Sequence, residues 1–88
     1  MADFFDTGKM KTEELLQTIQ KALSLKKPVT LEDSAETLEP WDSLGQLAIL
    51  VAIDKATEGK AASIKNLANC QSIRSLAETL QKNGLLKN

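Results

Sequence analysis

The stretch Pro40-Trp41-Asp42-Ser43-Leu44-Gly45-Gln46-Leu47 holds the residues best able to do chemistry, a hydroxyl beside a carboxylate at the mouth of an apolar run. Ser43 and Gln46 have the S-x-x-Q spacing of a capping box, in which the hydroxyl accepts from an early helical N–H and the amide reaches back to the cap. Asp42 is an alternative N-cap. Ser43 acting by itself is excluded as an acyl-transfer nucleophile, because the chain has no histidine and no G-x-S-x-G elbow. Its hydroxyl stays open to modification by another enzyme. Cys70 is the single cysteine, so no internal disulfide forms, and it is expected to be a small buried hydrophobe rather than a reactive thiol. With no histidine and one cysteine, the commonest general base and the usual zinc ligands are missing.

These residues sit in a chain of 88, enough for one core and one domain. Eleven Lys and Arg balance twelve Asp and Glu, leaving a net charge of −1 and no overall field for a nucleic-acid backbone or an anionic membrane. Lys60, Lys65, Arg74, Lys82 and Lys87 make the C-terminal third basic, but with one Arg and no interleaved aromatic they read as a solvated face. The start, Met-Ala-Asp-Phe-Phe, lacks a basic n-region, and no run approaches the ~20 apolar residues of a membrane span. The default expectation is a cytoplasmic setting.

The elements that must position Ser43 are expected to be helical, since Leu, Ala, Lys, Glu and Gln are plentiful and aromatic and β-branched residues scarce. The fold class is read as all-α. A first helix is expected with Thr12 as cap and Leu15, Leu16, Ile19, Ala22 and Leu23 at helical spacing, ending at Lys26, Lys27 and Pro28. Residues 28–42 carry Glu32, Asp33, Glu36, Glu39 and Asp42 with no basic residue, and form a long acidic loop of the kind that is functional or disordered. The second helix should run from Asp42 or Ser43 to about Glu58, stopped by Gly59. Leu47 to Ile53 is wholly apolar, so this helix has one face more than a small bundle can cover. Ser63 caps a short segment with Ile64, Leu67 and Ala68. The last helix opens at Ser72, carries Ile73, Leu76, Ala77 and Leu80, and closes at Gly84 with Leu85 meeting Leu80.

Asp42-Ser43-Leu44 at the head of a second helix, in a chain of this size and helix order, resembles the acyl carrier protein family of phosphopantetheine-binding carriers. The resemblance runs from about Thr12 to Leu80. It implies a four-helix bundle with a short third helix and a long loop between helices one and two, as a domain over 12–84 between an N-terminal extension, 1–11, and a C-terminal tail, 85–88. By the family's pattern Ser43 carries 4′-phosphopantetheine, transferred from coenzyme A by a phosphopantetheinyl transferase that reads Asp42 and Leu44. The arm's thiol then holds an intermediate as a thioester for acyl-loading and acyl-processing enzymes in fatty acid, polyketide or specialised lipid biosynthesis. Such a carrier is a monomer and not an enzyme. A phosphodiester at Ser43 would face the unpaired N–H groups and positive end of the helix, which suits an anion.

The chain also departs from the family. Gly45, Ala48 and Lys55 stand where such carriers often present carboxylates, and Asp54 is the main acidic survivor. Trp41 replaces the usual small residue before Asp-Ser and is expected to pack at the helix entrance. Leu44, Leu47 and Val51 share a stripe exposed to partners, while Ile49, Leu50 and Ile53 turn toward the core. Two readings therefore compete. One is the carrier, with Ser43 modified and Leu44, Leu47, Val51 and Asp54 as docking surface. The other is an unmodified helical interaction module docking through Leu44, Leu47 and Val51. A DNA-binding helical domain is disfavoured by the charge balance.

Overall fold

Apolar residues three and four apart build three α-helices, α1 (Thr12–Ala22), α2 (Ser43–Ala56) and α3 (Ile73–Lys82). The computed structural model of the chain describes residues 10–87. The part of the expected extension over residues 1–9, with Phe4 and Phe5, and residue Asn88 lie outside the described residues. Each helix contributes its apolar face to one core: Leu15 and Ile19 from α1, Ile49 and Ile53 from α2, Ile73, Leu76 and Leu80 from α3, all without solvent exposure. Burying each such side chain stabilises the fold by about 1.5–3 kcal/mol before its entropy cost. No described helix is long and apolar enough to cross a membrane.

The expected short third helix is not an α-helix. Its place is taken by two single-turn 3-10 helices, Lys60–Ser63 and Lys65–Asn69, separated by Ile64 in an extended conformation. Four or five residues cannot offset the cost of nucleating an α-helix. Ser63 does not cap forward, since its hydroxyl donates back to Lys60 O at 3.0 Å. Ala61 and Leu67 nevertheless reach the core from this segment.

Helix ends explain the other differences. Lys11, not Thr12, is the N-cap of α1, and the Glu14 carboxylate accepts from its N–H at 2.8 Å. The helix stops before Lys26 because Ser24 takes a left-handed φ of 56° and the chain closes a Schellman turn, Leu25 N–H to Gln20 O at 2.9 Å. Glu58 plays the same part after α2, with φ 57°, so the helix ends at Ala56 one residue ahead of its cap, Thr57. Thr57 is fully buried, yet its hydroxyl donates to Ile53 O at 2.9 Å and accepts from Ala61 N–H at 3.1 Å, which ties α2 to the first 3-10 turn. The end of α3 matches expectation: Gly84 has φ 74°, Leu85 N–H reaches Leu80 O at 2.9 Å, and both leucines are buried.

Beyond these ends, β1 (Met10–Lys11) pairs in parallel with β2 (Leu86–Lys87). Met10, Leu85 and Leu86 join the core, so residues assigned to the extension and the tail pack with the domain. The long acidic loop is anchored against the start of α3. Asp33 O accepts from Ile73 N–H at 3.1 Å, Ala35 N–H donates to Gln71 O at 2.8 Å, and Glu32 meets Arg74 at 2.7 Å.

Candidate functional site

The head of α2 is fixed by four interlocking hydrogen bonds. Asp42 is the N-cap, its Oδ1 accepting from Gly45 N–H at 2.9 Å, so of the two capping schemes the sequence allows, the aspartate scheme forms. Ser43 is the first helical residue and is exposed. Gln46 does not reach back to Ser43. Its side-chain oxygen accepts from the Trp41 indole N–H, and its amide donates to Ala68 O at 2.9 Å and Cys70 O at 3.0 Å. One glutamine thus pins the Trp41 turn, the first turn of α2 and the end of the second 3-10 helix together.

Trp41 is buried, as a packing aromatic, and its indole N–H has the acceptor that burial demands. Gly45 is buried too. A Cβ there would lie 2.1 Å from the Pro40 carbonyl oxygen and 2.9 Å from Leu23 Cδ2. Glycine is present because the Pro40 turn and Leu23, just past α1, press on α2 at this point, so the position where the family resemblance sets a presented carboxylate is buried here. Cys70 is buried, its sulfur 3.4 Å from both Asn66 O and the Thr79 hydroxyl.

The opposite face of α2 is open. Ile49 and Ile53 are buried and Leu50 packs against the core, while Leu44, Leu47 and Val51 stand 77%, 58% and 45% exposed. Together with Ala22 of α1 and Ala48, Ala52 and Lys55 of α2 they line a shallow apolar groove. On the other flank a cavity of about 260 Å³ lies between α2 and the 3-10 segment, bordered by Leu50, Asp54, Ala61, Ile64 and Leu67. Asp54 is half-buried there, and its Oδ1 has no hydrogen-bond partner among the described residues. The sequence-predicted site residues therefore come together on one helix, with Asp42 and Ser43 at its head, Leu44, Leu47 and Val51 along it, and Asp54 at the far end of the row.

Two contributors were not legible as site residues. Ala22 reaches the groove only through the packing of α1 on α2, which no local pattern encodes. Gln46 was visible as a cap residue, and the signal for its real role was a tryptophan five residues upstream needing an acceptor.

Comparison of the chain with protein-family models, with curated proteins and with solved structures finds no match. The carrier reading is corrected by what surrounds Ser43. Large apolar side chains beside it are held in water, where each retains a favourable transfer free energy that only a covering partner releases. Among the described residues no group of three or more His, Cys, Asp or Glu gathers to hold a metal ion. This surface fits the docking module better than a thioester carrier built on Ser43.

Proposed function

We propose that the domain is an unmodified, non-catalytic interaction module that docks through Leu44, Leu47 and Val51 of α2. The observation that carries this reading is the exposure of those three side chains along one helix whose other face buries Gly45, Ile49 and Ile53. A small domain gains nothing internally from them, since the core is closed by Ile49 and Ile53, and their area becomes useful when a partner covers it. The groove beside them is lined with alanines, which lets a partner's backbone approach closely. Rigidity supports the same role, because the Asp42 cap and the Gln46 contacts hold the head of the stripe in place before binding.

The test is site-specific photocrosslinking in the native host, with a photoreactive residue at position 47 or, as control, at the exposed Lys65. Adducts from position 47 that are absent from position 65 support the docking reading. Equal yields from the two positions overturn it.

A further inference from the structure

Asn83-Gly84 is the chain's one Asn-Gly pair, the dipeptide whose side-chain amide is most open to attack, because glycine has no side chain to shield its own backbone nitrogen. It stands exposed at the C-terminal end of α3, where Asn83 is the C-cap and Gly84 takes its left-handed φ of 74°. We infer that Asn83 is a self-modification site: its side chain cyclises onto Gly84 when the turn opens, and the product loosens Leu85 and Leu86 from the core. The inference is independent of the docking stripe.

The step balances within the chain and water. The Gly84 nitrogen loses its proton to solvent and bonds to Asn83 Cγ; the Cγ–Nδ2 bond breaks, and the departing nitrogen takes up a proton and leaves as ammonia. A five-membered succinimide remains. Water then opens it at either ring carbonyl. Breaking the bond from nitrogen to Cγ gives aspartate. Breaking the bond from nitrogen to the main-chain carbonyl carbon gives isoaspartate, whose backbone runs through Cβ and Cγ and is longer by one atom.

The folded turn holds the reacting atoms apart. With Asn83 at ψ 9°, the Gly84 nitrogen eclipses the backbone nitrogen of Asn83 and is turned away from the side chain, so ring closure needs a large rotation about ψ. That rotation breaks the bonds from Gly84 N–H to Gln81 O at 3.0 Å and from Leu85 N–H to Leu80 O at 2.9 Å. The side-chain amide is tied down separately, Asn83 Nδ2 donating to Thr79 O at 2.8 Å. Leu85 and Leu86 are buried and Leu86 pairs with Met10, so the rotation is coupled to lifting β2 from the domain. Conversion therefore proceeds from the opened turn. The extra backbone atom of isoaspartate shifts Leu85 N–H from Leu80 O, and either product sets a carboxylate among the last carbonyls of α3, at the negative end of its dipole. A chain that has opened there is marked and no longer closes as before.

Peptide mapping of the full chain by mass spectrometry, with isoaspartate scored by an isoaspartyl methyltransferase, tests this. In guanidinium chloride near neutral pH, Asn83 should convert faster than Asn66 and Asn69, which precede the bulkier Leu67 and Cys70. In native buffer Asn83 should react at least about tenfold more slowly than in denaturant. Leu85→Ala should raise the native rate several-fold, as should guanidinium below the unfolding transition of the parent chain. Asn83→Gln should abolish conversion, since the larger ring closes far less readily. Purified isoaspartyl protein should unfold at a lower denaturant midpoint than the parent. The inference is overturned by an Asn83 no faster than Asn66 in the denatured chain, by native conversion as fast as denatured, by a native rate that neither perturbation raises, or by an isoaspartyl protein with the parent's midpoint.

Discussion

Replacing Gly45 with alanine separates two views of α2 by the sign of a stability change. Were Gly45 on an open helix face, alanine would stabilise the protein by about 0.5–1 kcal/mol through helix propensity. In the structure the new methyl would sit 2.1 Å from the Pro40 carbonyl oxygen, 3.0 Å from the Pro40 carbonyl carbon and 2.9 Å from Leu23 Cδ2. Leu23 can yield by changing rotamer. The carbonyl is backbone, held by a turn in which Trp41 N–H donates to Leu38 O at 3.0 Å, and cannot move without lifting Trp41 from the core. Overpacking of this kind costs about 1–3 kcal/mol, toward the upper end where backbone must shift, and propensity returns less than 1. The net expectation is a loss of about 2 kcal/mol. For a domain of this size that lowers Tm by roughly 8–16 °C. Urea and thermal unfolding followed by far-UV circular dichroism measure it, and the m-value should be unchanged. A Gly45→Ala protein as stable as the parent, or more so, would refute the close approach of the Pro40 turn and with it the placement of Ser43 and Leu44.

Other expectations follow from the same contacts. Gln46→Ala removes the acceptor of the buried Trp41 indole and the donor to two carbonyls, and should cost about 1–3 kcal/mol in urea unfolding, with Trp41 fluorescence shifted to the red in the native state. Glu58→Gly relieves a left-handed φ of 57° at an exposed helix end and should stabilise by up to about 1 kcal/mol, measured by the same transition. Cys70 should react with a thiol reagent only as fast as the protein opens, so labelling in native buffer should be far slower than in denaturant.

How much of this could be read from residues alone differs from element to element. The core faces of α1 and α3 were legible because i, i+3, i+4, i+7 spacing is a direct consequence of 3.6 residues per turn, and Gly84 announced its left-handed turn by being glycine. Ser24 and Glu58 hold the same conformation without a glycine, so residue type alone carries α1 and α2 past their true ends. The 3-10 segment looks like a short α-helix in sequence because Ile64 and Leu67 have helical spacing, which three-residue turns share. At the site, the stripe of Leu44, Leu47 and Val51 was legible as the second face of an apolar helix. Gly45 was not, since its burial depends on the Pro40 carbonyl, a backbone contact that leaves no side-chain pattern. Ser43 stands out only through Asp42-Ser43-Leu44, a tripeptide whose capping role falls to the aspartate.

Native mass spectrometry of the protein isolated from its own host tests the central claim most directly, because one spectrum reports both what is attached to Ser43 and what stays bound to the stripe. The account predicts the mass of the unmodified chain, together with a noncovalent complex that Leu47→Asp removes. A mass increment located at Ser43 and absent from a Ser43→Ala chain, matching a phosphopantetheine arm, would contradict it.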